Sequence, residues 1–201
     1  MKILECEQLS PEWFAARAKT PTASCMDKII TTKGVKSKSY SKYIYKLAGE
    51  TILGTKEESY TSAAMQRGIE LEPDAIALFE MAKDLEATSV GFCIKDDESC
   101  GCSPDSLIGD DSGLEVKCPE KIEIHTEYLD KGVLPTKYFQ QVHSSMFVTG
   151  RNNWWFMSYY PKMPPLIINV EIDYKWCAKL GALLKDFNED LSNKVSRLKS
   201  L

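Results

Sequence analysis

No stretch of this chain approaches the roughly 18 consecutive apolar residues that a membrane-spanning helix needs. The opening "MKILECEQLSPEW" also lacks an apolar core of signal-peptide length, so a cytoplasmic protein is expected. There is no low-complexity tract and no internal repeat, which removes solenoids and disordered linkers from consideration. A general basic coat is missing too: 25 Lys and Arg stand against 29 Asp and Glu, for a net charge of -4. That excludes the all-over electrostatic footprint of many small DNA-binding proteins, though not a local one. The cysteines number seven and contain no CxxC pair. An odd count in an ordinary globular composition fits free thiols in a reducing compartment better than a disulfide framework.

What remains is 201 residues, 43% hydrophobic and 27% charged, which suits one compact domain over residues 1–201. The segment "TTKGVKSKSYSKYIYK" from Thr31 is rich in lysine and tyrosine and has no carboxylate. It reads either as a phosphate-backbone contact or as a solvated loop entering a helix. "SPEWFAAR" starts a helix at Ser10, with serine as N-cap and proline at the first helical position. A second cap is expected at Thr22 or Ser24, and "YSKYIYKLAGETILG" predicts a helix ending at Gly54. "SAAMQRGIELEPDAIALFEMAKD" carries helical spacing that Pro73 is expected to interrupt.

From Glu86 the pattern changes to short segments parted by glycine and aspartate, an antiparallel meander. "TKYFQQVHSSMFVTG" returns to helical spacing, "NNWWFMSYYP" and "LIINVEID" read as strands, and a long amphipathic helix runs from about Tyr174. The class is α/β with a mixed central sheet.

Within the meander, "CSPDSLIGDDSGLEVKCP" places Asp105 on one arm of a turn and Glu115 and Lys117 on the other. Residues two apart on a strand share a face, so Glu115 and Lys117 project together while Leu114 and Val116 turn to the core. Charged residues flank many hairpins at little cost, which is the plain reading. The chemical reading is that two carboxylates this close need a shared proton or a bound cation. Hard oxygen ligands favour Mg²⁺ or Mn²⁺. A metal, a positioned water and a lysine are what phosphodiester hydrolysis uses.

"SPD" at Ser103–Asp105 followed by "EVK" at Glu115–Lys117 resembles the PD-(D/E)XK nuclease motif. The surrounding chain resembles the lambda-exonuclease-like family of viral alkaline exonucleases, or YqaJ-type recombinases. The segments that carry it are "EWFAARAKTPTAS", "GIELEPDAIALFE", "CSPDSLIGDDSGLEVKCP" and "YFQQVHSSMFVTGRNNWWF", in that order. The resemblance implies a restriction-endonuclease-like mixed sheet flanked by helices. It further implies Mg²⁺, with Mn²⁺ substituting, held by Asp105, Glu115, the Val116 carbonyl and Glu72, with Lys117 activating water. Gln141 then lies against the active site, with Tyr138 flanking it, and Asp97 matches a further acidic residue nearby. Arg17, Ser24, Ser103 and Trp13 match contacts to a terminal 5′-phosphate or to DNA. A family glutamine aligns with His143, which cannot share a helical face with Gln141 and so takes a supporting role.

The implied activity is processive 5′-to-3′ digestion of double-stranded DNA ends by a ring-shaped homotrimer in a bacterial host, partnered by a single-strand annealing protein of phage or prophage origin. A structure- or site-specific endonuclease using the same carboxylates, or a DNA-end-binding protein without turnover, remains open. Cys93, Cys100, Cys102 and Cys118 are read as small buried thiols, with a zinc or iron–sulfur site as the rival.

Overall fold

A computed structural model describes residues 1–56 and 63–201, so Ser62, where the expected Pro73-containing helix was to begin, lies outside the described residues. The chain runs through β1 (Lys2–Leu4), α1 (Pro11–Arg17), a 3-10 turn (Ala23–Lys28), α2 (Tyr40–Leu53) and α3 (Ala63–Lys83). Next come β2 (Ala87–Thr88), β3 (Phe92–Ile94), β4 (Gly101–Cys102), β5 (Ser106–Ile108) and β6 (Ser112–Lys117). It closes with α4 (Ile122–Lys131), α5 (Phe139–Thr149), β7 (Asn153–Ser158), β8 (Leu166–Glu171) and α6 (Tyr174–Lys199).

Two sheets result. The larger has the order β2-β5-β6-β7-β8, antiparallel except for the parallel pair β6-β7, which makes it the expected mixed sheet. The expected single meander is instead divided, because β3 and β4 leave it to form a three-stranded sheet with β1. Strand alternation explains how the larger sheet is covered. Leu114, Val116 and Met157 pack with Ala75 and Phe79 of α3 on one face. Leu107, Trp154 and Phe156 pack with Val142 and Met146 of α5 on the other.

The smaller sheet joins a helical layer. Trp176, Cys177, Leu180, Leu184, Phe187 and Leu191 are the buried stripe of α6, at the spacing of one helix face. They share a cluster with Tyr40, Tyr43, Ile44 and Leu47 of α2 and with Cys93 and Cys102. Local signals hold at three termini. The Ser10 side chain accepts from the Trp13 N–H, the Asp173 side chain accepts from the Trp176 N–H, and Gly54 closes α2 at φ 76.

Two expectations are corrected. Thr22 precedes a 3-10 turn and caps nothing with its side chain, and α3 runs unbroken through Pro73. Ala75 and Phe79, both fully buried against the sheet, hold α3 in place where the proline removes one backbone bond. Among the described residues no helix is long and apolar enough to cross a membrane.

Candidate active site

The cleft is built around β6. Leu114 and Val116 turn into the α3 side of the sheet, so Glu115 and Lys117 emerge on the α5 side, as alternation requires. Asp105 stands just before β5, directly across from them. Its backbone N–H donates to the Leu114 carbonyl at 3.2 Å, and its Oδ2 accepts from the Val116 N–H at 2.5 Å. Asp105 is thereby pinned to the strand that carries Glu115.

Glu115 is 1% exposed. Its Oε1 is shared between the Lys117 ammonium and Gln141 Nε2, the latter at 2.5 Å. Its Oε2 is buried, with no partner among the described residues. An unpaired buried acceptor costs about 1–3 kcal/mol, more when charged, so this oxygen suits a positively charged partner.

Burial, then the Glu115 charge, pushes the Asp105 carboxyl well above its usual range, against the pull of Lys117 and the Val116 N–H. Glu72, on α3, is also raised, by burial first, with Lys117 opposing and Glu115 adding. For Lys117 burial favours discharge, but Glu115 and Asp105 outweigh it and hold the ammonium. Glu72, Asp105, Val116, Lys117 and Tyr138 line one cavity of about 590 Å³.

Mutual repulsion among Asp105, Glu115 and Glu72, with one Glu115 oxygen left over, fits a hard divalent cation. Among the described residues no three Asp, Glu, His or Cys side chains come close enough for a closed cage. Mg²⁺ does not ask for one, since it keeps several waters and takes one or two carboxylates plus substrate phosphate.

Beside this cleft lies a second constellation. Ser103, two residues before Asp105, accepts from Trp13 Nε1 at 2.8 Å and from Arg17 Nη1 at 2.9 Å, while Arg17 Nη2 donates to Ser24 at 3.2 Å. The guanidinium lies 4.2 Å from the Trp13 ring centroid and is 8% exposed. Burial pulls its pKa down, and it stays charged all the same. Among the described residues its Nε has no partner and no carboxylate pairs with it. A buried cation that meets hydroxyls and aromatic rings, and no carboxylate among the described residues, fits an anion from outside.

Asp105, Glu115, Lys117, Glu72, Gln141 and Tyr138 therefore come together, and Arg17, Ser24, Ser103 and Trp13 gather next to them. Asp97 does not join: it sits on the exposed turn between β3 and β4, held by Ser99 at 2.6 Å and Lys95 at 3.3 Å. That turn belongs to the smaller sheet, which explains the separation. His143 accepts from the Asp173 N–H at 3.2 Å and packs on Phe139, tying α5 to the start of α6. Cys93 and Cys102 face each other across β3 and β4, whereas Cys118 lines the carboxylate cavity, so the four cysteines are split between two places.

Sequence reasoning passed over Lys137 and Arg151. Lys137 lines the same cavity as Lys117. Arg151 Nη1 donates to the Ile108, Gly109 and Ser112 carbonyls, and so clamps the turn joining Asp105's strand to Glu115's. The neighbouring Tyr138 was a signal for Lys137. Nothing local marks Arg151.

The fold is that of the alkaline exonucleases. LHK-Exo, an alkaline exonuclease from Laribacter hongkongensis, is 32% identical, with a TM-score of 0.85 over 95% of this chain and 97% of that one. Its complex with dAMP matches equally well. A phage related exonuclease from Haemophilus somnus 129PT, 13% identical, shares the fold at a TM-score of 0.71 over 89% of this chain and 96% of that one. No curated protein matches. The YqaJ-like viral recombinase domain matches residues 12–152, and the chain belongs to that family.

Proposed function

We propose that this protein is a metal-dependent exonuclease of the PD-(D/E)XK type, digesting double-stranded DNA processively from 5′ ends and leaving 3′ strands for annealing. The observation that carries the reading is the orphan Oε2 of buried Glu115, whose other oxygen meets Lys117 and whose charge acts on both Asp105 and the Arg17 of the neighbouring pocket. Membership in a viral recombinase family supports it. A relative crystallised with dAMP supports a nucleoside monophosphate as the class of product.

Asp105, Glu115 and the Val116 carbonyl would hold the cation, and Glu72 would act on it through the waters that Mg²⁺ keeps. Mg²⁺ there, or Mn²⁺ in its place, supplies Lewis-acid charge to the phosphate. Gln141 fixes the Glu115 rotamer by its hydrogen bond. Lys117, kept as an ammonium, orients the attacking water and balances charge as it builds on phosphorus. Water attacks phosphorus, the P–O3′ bond breaks, and the O3′ takes a proton. The released nucleotide keeps its 5′-phosphate, and the shortened strand gains a new one for Arg17 and Ser24 to receive. Wider parts of the proposal are a homotrimeric ring around the duplex, an annealing protein as partner, and a phage or prophage setting in a bacterial cytoplasm.

Linear duplex labelled at the 5′ or the 3′ end, incubated with and without Mg²⁺, tests the core of this. Early release of labelled 5′-mononucleotide, only with Mg²⁺, is expected. Lys117→Ala should lower the rate by on the order of 10² to 10⁴ while leaving DNA binding in place. Cutting of covalently closed circles would replace the exonuclease with an endonuclease, and binding of ends with no turnover would leave an end-binding protein.

A further inference from the structure

Lys137 is an exposed lysine on the turn that leads into α5, yet its ammonium is not free to wander. Its Nζ lies 4.8 Å from the Tyr138 ring centroid and 5.4 Å from that of Tyr128, which is buried. Two aromatic faces therefore fix a stem that would otherwise lose considerable rotamer freedom on binding anything.

Its location is equally specific. A 270 Å³ cavity lined by Ser24, Asp27 and Gln141 and the 590 Å³ cavity lined by Glu72, Asp105 and Lys117 both have Lys137 and Tyr138 on their walls. Lys137 and Tyr138 thus form a wall common to both cavities.

The charges nearby leave Lys137 available. Lys117, 5.6 Å from the same Tyr138 ring, is committed to Glu115, and Lys131 is paired with Glu127. Lys137 makes no ion pair among the described residues. Of these three lysines it alone is in no ion pair among the described residues, and Glu127, which feels its charge, is held by Lys131.

We propose that Lys137 binds a backbone phosphate of the DNA strand as that strand passes from the Ser24–Gln141 cavity to the carboxylate cavity. The proposal rests on the nuclease reading above and adds a residue to its substrate path. Lys137 is a binding residue with no part in preparing the water.

The test compares wild type with Lys137→Met, which keeps the stem over the tyrosines, and Lys137→Arg, which keeps the charge. The probe is a fluorescent, 5′-phosphorylated blunt duplex bound in chelator, titrated between about 50 and 200 mM salt. One lost phosphate contact should lower the slope of log affinity against log salt by about 1. The wild-type advantage over Lys137→Met should then be roughly threefold larger at the low end of that range. Lys137→Arg should track wild type, and all three should melt together. Equal affinity and slope for Lys137→Met and wild type would overturn the proposal, as would a loss that Lys137→Arg fails to restore. A wild-type protein that hydrolyses no duplex with Mg²⁺ would instead sink the nuclease reading, by a separate measurement.

Discussion

Ser103 is where the two constellations meet, because one hydroxyl accepts from both Trp13 and Arg17 and lies two residues from Asp105 in the chain. A phosphate entering beside Arg17 would bring a charge-assisted bond worth about 1.5–3 kcal/mol, or about 10- to 100-fold in rate or affinity. Wild type should therefore degrade 5′-phosphorylated duplex faster than 5′-hydroxyl duplex by a factor in that range. Arg17→Ala should erase most of the difference, chiefly by slowing attack on the phosphorylated end, as paired time courses would show. Equal wild-type rates on both ends would remove Arg17 from the substrate path. By itself, the "EWFAAR" pattern gives no reason to take Arg17 from the surface, since the burial comes from Trp13, Phe92 and the 3-10 turn closing over it. The resemblance set Arg17 beside Ser24 and Ser103, where the structure has it, whereas for Asp97 a matching residue type did not ensure a matching position. Glu115 and Lys117 were legible from alternation alone, because strand geometry leaves their side chains no other face.

At the scale of elements, two glycines show what holds β6 in register. A Cβ on Gly113 would sit 2.3 Å from the Trp154 ring on the adjoining parallel strand, while one on Gly49 of α2 would meet nothing within 4 Å. Gly113→Ala must push β6 off β7 and should cost about 1–3 kcal/mol, with activity lost as Glu115 and Lys117 shift. Gly49→Ala in a helix interior should instead stabilise by about 0.5–1 kcal/mol and leave activity alone. Urea unfolding of both variants checks this, and a neutral Gly113→Ala would mean that β6 and β7 are not so tightly packed. Strands and long helices were readable because their burial pattern is periodic. Helix α4 was not: its buried face is only His125 and Tyr128, and its N-cap Lys121 makes no side-chain bond. The division of the meander into two sheets was also hidden, since it depends on β1 pairing with β3 some ninety residues away, a contact no local window contains.

For the molecule as a whole, the difficulty is a net charge of -4 in a protein proposed to stay on DNA through many cycles. Electrostatic grip and topological enclosure answer it differently, and salt separates them. If the chain held DNA by its lysines alone, counterion release would weaken starting and continuing together. In a ring of three copies, salt should slow the capture of an end steeply, yet strands already threaded should go on being shortened, because leaving requires reaching an end or opening the ring. The expected result is a mass of three chains by light scattering, and a run length that changes little between about 50 and 200 mM salt while initiation falls several-fold. Excess unlabelled duplex added after the start should stop new initiations and spare those in progress. A single-chain mass, with run length falling in step with initiation, would remove the ring and leave the cleft, Arg17 and Lys137 to account for all of the affinity.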